Sequence, residues 1–251
     1  MSDERVSVAE AAEILGVHPQ RIHQRIRGGS LPASKVGKQW AVERNDLRRL
    51  ERHSGPGRPL SAKSAWDLLS VALGDKAASE LSPSARSRAR SRLVNLHAQA
   101  SSADLEDSAA QLVNAMRNRA GRALFIASVR DLPDLRADER VHLSGVSLPE
   151  SGMSAGDAAE GYVSIEDLDA LVDDHLLSPA PRSRANVILH VVPSEVQSPA
   201  LDDVARSPLA LAADLAEHDG IREKSAAMRS VADLHALLVA READVIGPRR
   251  D

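Results

Sequence analysis

Long polar side chains recur along residues 19–27, PQRIHQRIR, at positions that a helix turns outward. At about 100° per residue, Ile22 and Ile26 share one inward face. Arginine and glutamine read base edges in the DNA major groove through paired hydrogen bonds, and cations hold phosphates. The pattern therefore predicts a DNA-reading helix, and the alternative is a solvated amphipathic helix. The side chains expected to contact DNA are Gln20, Arg21, Gln24 and Arg27, with His23 and Arg25 on the flanks.

A first helix must position this one. Ser7 and Glu10 have the spacing of a capping box, so a helix is expected to begin after Ser7 and to end near Gly16. Pro19 suits the first position of a second helix, which the pair Gly28–Gly29 should end. His18 stands just before that helix and is counted with the DNA-contacting residues.

The segment 34–42, SKVGKQWAV, has the pattern of a β-hairpin with its turn at Gly37–Lys38. Such a two-stranded wing would rest on the phosphate backbone. A short helix is expected to follow from Arg44 through Leu50. The wing residues expected to contact DNA are Lys35, Lys38, Gln39 and Trp40.

Residues 6–52 resemble the excisionase and MerR-like winged helix-turn-helix family. The landmarks that match are Glu10-Ala11-Ala12, Leu15-Gly16-Val17, Pro19, Gly29, Leu31-Pro32, Val36-Gly37, Trp40 and Val42. The resemblance implies DNA binding, with the second helix in the major groove and the wing on the backbone. His18 departs from the family, in which a small hydroxyl residue is common, so the cap of the second helix is expected to be weaker or sensitive to pH.

The stretch 54–61, SGPGRPLS, predicts a linker because its glycines and prolines interrupt helices and strands. Gly57-Arg58-Pro59 is also similar to the core of an AT-hook, in which the arginine enters a narrow minor groove, so Arg58 is a further candidate DNA contact. Residues 62–120 predict helices. The arginines at 86, 88, 90 and 92 spread over both flanks of one of them, which favours a solvated helix over a groove reader.

Charge is divided unevenly along the 251 residues: 1–60 and 61–130 each carry a net +4, whereas 131–251 carry −12. Such asymmetry is typical of a front part that binds a polyanion and a back part that binds a partner, although two ordinary domains of differing charge are the alternative. The chain has no cysteine, which excludes disulfides and thiolate metal sites. No signal-like start and no apolar run of about 18 residues is present, so a cytoplasmic protein is expected.

The acidic half predicts an α+β domain. Strands are expected at 122–128, 140–147 and 186–193, and helices from Ser164 to Leu176, after Ser207-Pro208, and over 221–243. No P-loop, G-x-S-x-G or H-E-x-x-H motif occurs, and His142 and His190 lie in strand patterns without visible partners. We therefore expect no enzyme activity, metal or cofactor.

The predicted fold class is mainly α with an α+β C-terminal part. The expected domains are a winged helix-turn-helix domain at 1–53, a linker at 54–61, a helical middle region at 62–120 and an acidic α+β domain at 121–251 that serves dimerisation or partner binding.

Several stretches of the acidic half, such as 138–147 and 186–193, look like the C-terminal part of actinobacterial regulators resembling AbiEi-type antitoxins. The landmarks are Leu143-Ser144-Gly145 and Ala213-Asp214-Leu215. The resemblance implies an antitoxin that represses its own operon and counters a nucleotidyltransferase-like toxin, without the need to touch it.

Taken together, these features favour a sequence-specific DNA-binding transcriptional regulator, an autorepressing antitoxin, with operator DNA and a second copy of itself as partners. An excisionase-like recombination directionality factor is the first alternative, although such proteins are little more than the front module. A DNA-targeted enzyme is the second alternative.

Overall fold

The computed structural model describes residues 5–27, 31–37, 39–47, 59–102, 104–154, 156–194 and 201–246. The helices are α1 (Val8–Ile14), α2 (Pro19–Arg27), α3 (Ala62–Leu73), α4 (Asp75–Ala78), α5 (Pro83–Ser102), α6 (Leu105–Met116), α7 (Leu132–Ala137), α8 (Ile165–Asp174), α9 (Leu201–Ala205), α10 (Pro208–Ala216) and α11 (Ile221–Ile246). The strands are β1 (Arg5–Ser7), β2 (Ser34–Val36), β3 (Gln39–Glu43), β4 (Gly121–Ile126), β5 (His142–Leu143), β6 (Ala159–Ser164), β7 (Ser178–Pro179) and β8 (Val187–Val192). The fold is mainly α with mixed α and β parts, as the sequence predicts.

The front of the chain is a helix-turn-helix with a wing. Ser7 and Glu10 form the predicted capping box, in which the Ser7 N–H donates to the Glu10 carboxylate and the Glu10 N–H to the Ser7 hydroxyl. Gly16 has φ 61°, the left-handed conformation expected where the first helix ends. Strand β3 lies between β1 and β2, both antiparallel to it, and the chain is helical again at residues 44–47. Ile22 is fully buried in the small core of this unit.

One hydrophobic core joins the middle of the chain to its last described helices. It contains Trp66 and Leu69 from α3, Met116 from α6, Leu215 from α10 and Leu234 from α11, all buried. The predicted helical middle region and the end of the predicted acidic domain therefore bury their apolar faces against each other. The domain boundaries themselves stay a prediction.

The second sheet has the strand order β5-β6-β8-β4-β7. Strands β6 and β8 are parallel, and the other pairs are antiparallel. On one face its small and branched apolar residues pack with α7 and α8 around Leu132, Leu135 and Leu171. The opposite face turns toward α10 and carries polar residues.

The predicted strand at 140–147 is wrong over most of its length. Only His142 and Leu143 pair, as β5, and the chain then turns through two 3-10 segments, Gly145–Ser147 and Pro149–Ser151. The physical reason lies at Gly145, whose φ of 53° is incompatible with a strand.

A predicted helix start also moves. Within 62–120, the spacing of Leu105, Leu112 and Met116 predicts a helix that begins at Ser102, but α5 continues through Ser102. Asp104 instead caps α6 by accepting a hydrogen bond from the Asp107 N–H at 2.8 Å. The strands β1, β6 and β7 are additions that the sequence patterns did not predict.

Candidate functional site

Helix α2 begins at a histidine cap. The His18 Nδ1 atom accepts a hydrogen bond from the Gln20 backbone N–H at 3.3 Å, so the imidazole takes the place of the usual hydroxyl or carboxamide cap. An imidazole nitrogen accepts a hydrogen bond only when it carries no proton. The cap that the sequence predicts to be weak or sensitive to pH is therefore an imidazole, and its behaviour stays a prediction.

The side chains of α2 divide into a buried and an exposed face. Ile22 has no exposed surface and Ile26 packs against the same core, as predicted. The polar side chains that α2 exposes are those of Gln20, Arg21, Gln24 and Arg27. Two guanidiniums and two carboxamides thus stand on the surface of one short helix, which is the chemistry that reading base edges requires. Their contact with DNA stays a prediction.

His23 and Arg25 are half-buried on the flanks of α2, in the positions that the helical period predicts. Burial, together with the charge of Arg21, lowers the pKa of the Arg25 guanidinium. Burial and the Arg25 charge also lower the pKa of Arg117, which caps the end of α6. The Arg25 flank of the helix therefore faces the helical middle of the chain, and the Gln20 and Gln24 side stays open.

The predicted wing is present as the hairpin of β2 and β3. Lys35 pairs in register with Trp40, and its ammonium lies 5.3 Å from the centre of the tryptophan ring, a cation–π contact. Lys35 and Gln39 are exposed, and Gly37 has the positive φ of 64° that the turn needs. The indole holds the Lys35 charge on the surface of the wing.

Some predicted contacts lie outside the described residues. The helix end predicted at Gly28–Gly29 lies outside them too, and the predicted contacts are Lys38 and Arg58. Their part in DNA binding stays a prediction.

Residues 6–53 match the family model of a helix-turn-helix domain. The match covers about a fifth of the chain and coincides with the unit built from α1, α2 and the winged sheet. The chain therefore contains a helix-turn-helix domain at its front, a kind of domain that binds DNA through its second helix. No curated protein and no solved structure matches the chain. Within the ranges described above, no helix is long and apolar enough to cross a membrane.

A second cluster of functional groups, which the sequence patterns missed, is a buried polar network under the second sheet. The guanidinium of Arg119 is almost completely buried and lies 2.7 Å from the Glu217 carboxylate. Its Nε atom donates to the Tyr162 hydroxyl at 2.9 Å and to Asp214 Oδ1 at 3.1 Å. Asp214 also accepts hydrogen bonds from the Tyr162 and Ser144 hydroxyls. Arg119 thus faces two carboxylates and one hydroxyl, and Ser144 completes the hydrogen bonds around Asp214.

Glu160 lies beside this network between two histidines. Its Oε1 atom is 3.0 Å from His190 Nε2, and its Oε2 atom is 2.9 Å from His218 Nε2. The Val146 backbone N–H donates to the same carboxylate at 2.9 Å. Burial raises the pKa of Glu160, but the two histidines lower it further, so the pKa lies well below its ordinary value. Glu160 is a buried carboxylate held in its charged form.

The strand register explains why these groups meet. Side chains on adjacent strands form one row across one face of the sheet. From β4 through β8 and β6 to β5, the row consists of Arg122, His190, Tyr162 and His142. The Tyr162 and His190 rings stack with centroids 4.9 Å apart. Only strand pairing creates this row, and β6 was not predicted, so sequence patterns left His190 without a partner.

One signal of the network was present in the sequence. Asp214 is a single carboxylate inside the apolar helical run LALAADLA, and it is fully buried in α10. A charged residue on an apolar face requires a partner. Both landmark triplets of the AbiEi resemblance reach the network, through Ser144 and Asp214. The family match ends at residue 53, however, and the comparisons do not support that resemblance.

No group of three or more His, Cys, Asp or Glu residues in the described parts of the chain is arranged to hold a metal ion. In the network the carboxylates face cations, histidines and hydroxyls of the protein itself. The geometry is that of a structural charge cluster at the junction of sheet and helices.

Proposed function

We propose that the protein is a sequence-specific DNA-binding transcriptional regulator without enzyme activity. The observation that carries the proposal is the exposed face of α2, where Gln20, Arg21, Gln24 and Arg27 stand on a helix whose other face is fixed by Ile22. The wing adds a cation at Lys35, and the family match at 6–53 is to a domain of this kind. The second helix would enter the major groove while the wing contacts the phosphate backbone.

A mobility-shift titration on the protein's own promoter fragment, repeated over a salt series, tests the proposal. The double variant Arg21→Ala/Gln24→Ala is expected to lose at least about thirtyfold in affinity, because each paired base contact contributes about 1–3 kcal/mol. Its affinity should also fall less steeply with salt if Arg21 neutralises a phosphate.

The matched control is Arg88→Ala/Asn95→Ala, which removes one guanidinium and one carboxamide from the exposed surface of α5. This variant is expected to bind as the wild type does. Wild-type binding that does not depend on salt, or equal losses in the two double variants, would overturn the assignment of α2 as the reading helix.

We further propose that the regulator is an autorepressing antitoxin of a toxin-antitoxin operon. The support is the resemblance of the acidic half to AbiEi-type regulators and the excess of acidic residues after residue 130. The excisionase-like alternative fits the front module, but it leaves nearly 200 further residues without a role.

The neighbouring genes separate these two roles. A neighbouring gene for a nucleotidyltransferase-like protein that arrests growth when expressed without this chain, and not when expressed with it, supports the antitoxin. A neighbouring integrase whose excision reaction needs this chain supports the directionality factor. Repression of a reporter under its own promoter is expected for the antitoxin, and an unrepressed reporter would contradict it.

A further inference from the structure

A cavity of about 620 Å³ opens where the front unit meets the second sheet. This volume is in the range of small-molecule sites in proteins. One wall is formed by Glu43 at the end of β3 together with Asn45 and Asp46. The opposite wall includes Leu124 and Ile188, which are register partners on β4 and β8.

The apolar part of the cavity belongs to the sheet. The side chains of Leu124 and Ile188 lie on the same face as the polar row, because Ile188 is two residues from His190 along β8. Val146 adds a further apolar side chain to the lining of the cavity. This lining offers a planar or aliphatic group a hydrophobic floor, and such a floor with a few converging polar groups is the usual design of a ligand site.

The polar part of the cavity is mainly acidic. Its lining includes four carboxylates against the guanidinium of Arg182 and the imidazole of His218; the carboxylates are those of Glu43, Asp46, Glu160 and Asp219. Arg182 is held by the protein itself, because it donates to the Glu217 carbonyl at 2.7 Å and lies 3.9 Å from the Asp219 carboxylate. Arg5 pairs with Glu43, and with Arg5 included the four carboxylates still outnumber the two guanidiniums, so the cavity attracts a cation and repels an anion.

We propose that this cavity binds a small organic cation, an amine or amidine with an apolar body, and that its occupancy changes the affinity for DNA. The second half of the proposal rests on the proposed function. The charged end of the ligand lies toward the Glu43 and Asp46 wall, and the apolar body lies on Leu124 and Ile188.

Coupling to DNA follows from the position of Glu43. Glu43 is the last residue of strand β3, which carries Trp40 and pairs with β2, the strand of Lys35. The Glu43 carboxylate accepts a hydrogen bond from Arg5 Nε of β1 at 2.9 Å. A cation beside Glu43 competes with Arg5 for this carboxylate and thereby acts on the pairing of β1 with β3, the strand that carries Trp40 of the wing. If the ligand prefers one position of the wing, DNA and ligand change each other's affinity by the same factor.

Benzamidine and benzoate are the probes, because they share a ring and differ in the sign of charge. Calorimetry and thermal unfolding of the full chain without DNA are expected to show binding of benzamidine at millimolar concentration and none of benzoate. Glu43→Gln, which removes one negative charge from the wall that receives the cation, should weaken benzamidine binding several-fold. Ala185→Phe, which fills the cavity from a half-buried position, should abolish it.

The same unfolding curves without probe show whether each variant is folded, and a variant that is not folded is replaced by Ser183→Gln at the exposed rim. Failure of benzamidine to bind, equal binding of benzoate, or full binding by a folded Ala185→Phe protein would overturn the site. Mobility shifts with and without benzamidine test the coupling. Unchanged DNA affinity would overturn the coupling alone, and loss of DNA binding in every condition would overturn the proposed function while the site stands.

Discussion

Replacement of Asp214 by asparagine tests whether the buried network stabilises the fold. Asp214 has no exposed surface, and its carboxylate faces the Arg119 guanidinium, whose exposed fraction is 2%. The variant Asp214→Asn keeps the size of the side chain and removes the negative charge. Arg119 retains Glu217 at 2.7 Å, but this carboxylate also pairs with Arg122 at 2.6 Å, so two guanidiniums share one carboxylate in the variant.

The expected loss of stability is large. Removal of one partner of a buried ion pair costs about 3–5 kcal/mol, and the remaining Glu217 contact favours the lower end, about 3 kcal/mol. For a chain of 150 to 250 residues, about 1 kcal/mol lowers the Tm by roughly 2–4 °C, so we expect a fall of about 6–12 °C. The amide also donates where Asp214 only accepts, which leaves the Tyr162 and Ser144 hydroxyls to reorient.

The measurement is thermal unfolding followed by circular dichroism at neutral pH. The control is Asp75→Asn, which breaks a pair with Arg90 that is more than half exposed on both sides. An exposed pair contributes about 0–1 kcal/mol, so this variant should unfold close to the wild type. If Asp214→Asn unfolds within a degree or two of the control, the network does not stabilise the fold as argued.

Trp66→Phe is expected to lower the free energy of unfolding in urea by about 1–3 kcal/mol, because the indole N–H donates to the buried Arg119 carbonyl at 2.7 Å. A loss of stability no larger than that of Trp40→Phe would contradict this. In the Trp66→Phe background, Trp40 is the remaining tryptophan, and its fluorescence reports unfolding of the front unit. His18→Asn is expected to raise the stability of this unit by up to about 1 kcal/mol, because Asn is a strong helix cap. No gain in stability would refute the cap at His18. Burial raises the pKa of Glu217, but Arg119 and Arg122 lower it further, so its contribution to stability is complete above the unfolded pKa of about 4.3 and is lost as pH falls below that value. The Tm of the wild type should therefore drop more steeply between about pH 4.5 and pH 3 than that of Glu217→Gln, and parallel curves would contradict the charge pairing.

Local patterns in the sequence predict the front unit well. The capping box at Ser7, the left-handed Gly16, the inward pair Ile22 and Ile26 and the turn at Gly37 all depend on neighbours within a few residues. Propensity and spacing report such short-range contacts directly. The exposed face of α2 follows from the same periodicity.

The network could not be predicted in this way. Glu160, His190 and Asp214 are brought together by the parallel pairing of β6 with β8 and by the packing of α10 on that sheet. These residues are tens of positions apart in the sequence, so no local motif with a fixed spacing includes all three. The single carboxylate of Asp214 in an apolar helix indicates that a partner is needed, but not which one. The strand wrongly predicted at 140–147 leaves out the turn at Gly145, next to which Ser144 donates a hydrogen bond to Asp214.

The core shared by residues 62–116 and 201–234 imposes an order on folding during synthesis. A chain leaves the ribosome from its N-terminus, and domains fold as soon as their own core is available. The described core of the front unit ends at Leu47, whereas the core around α3 and α6 is complete only when α10 and α11 have been made. We therefore expect the nascent chain to carry a folded helix-turn-helix ahead of a second core that stays incomplete until α10 and α11 emerge.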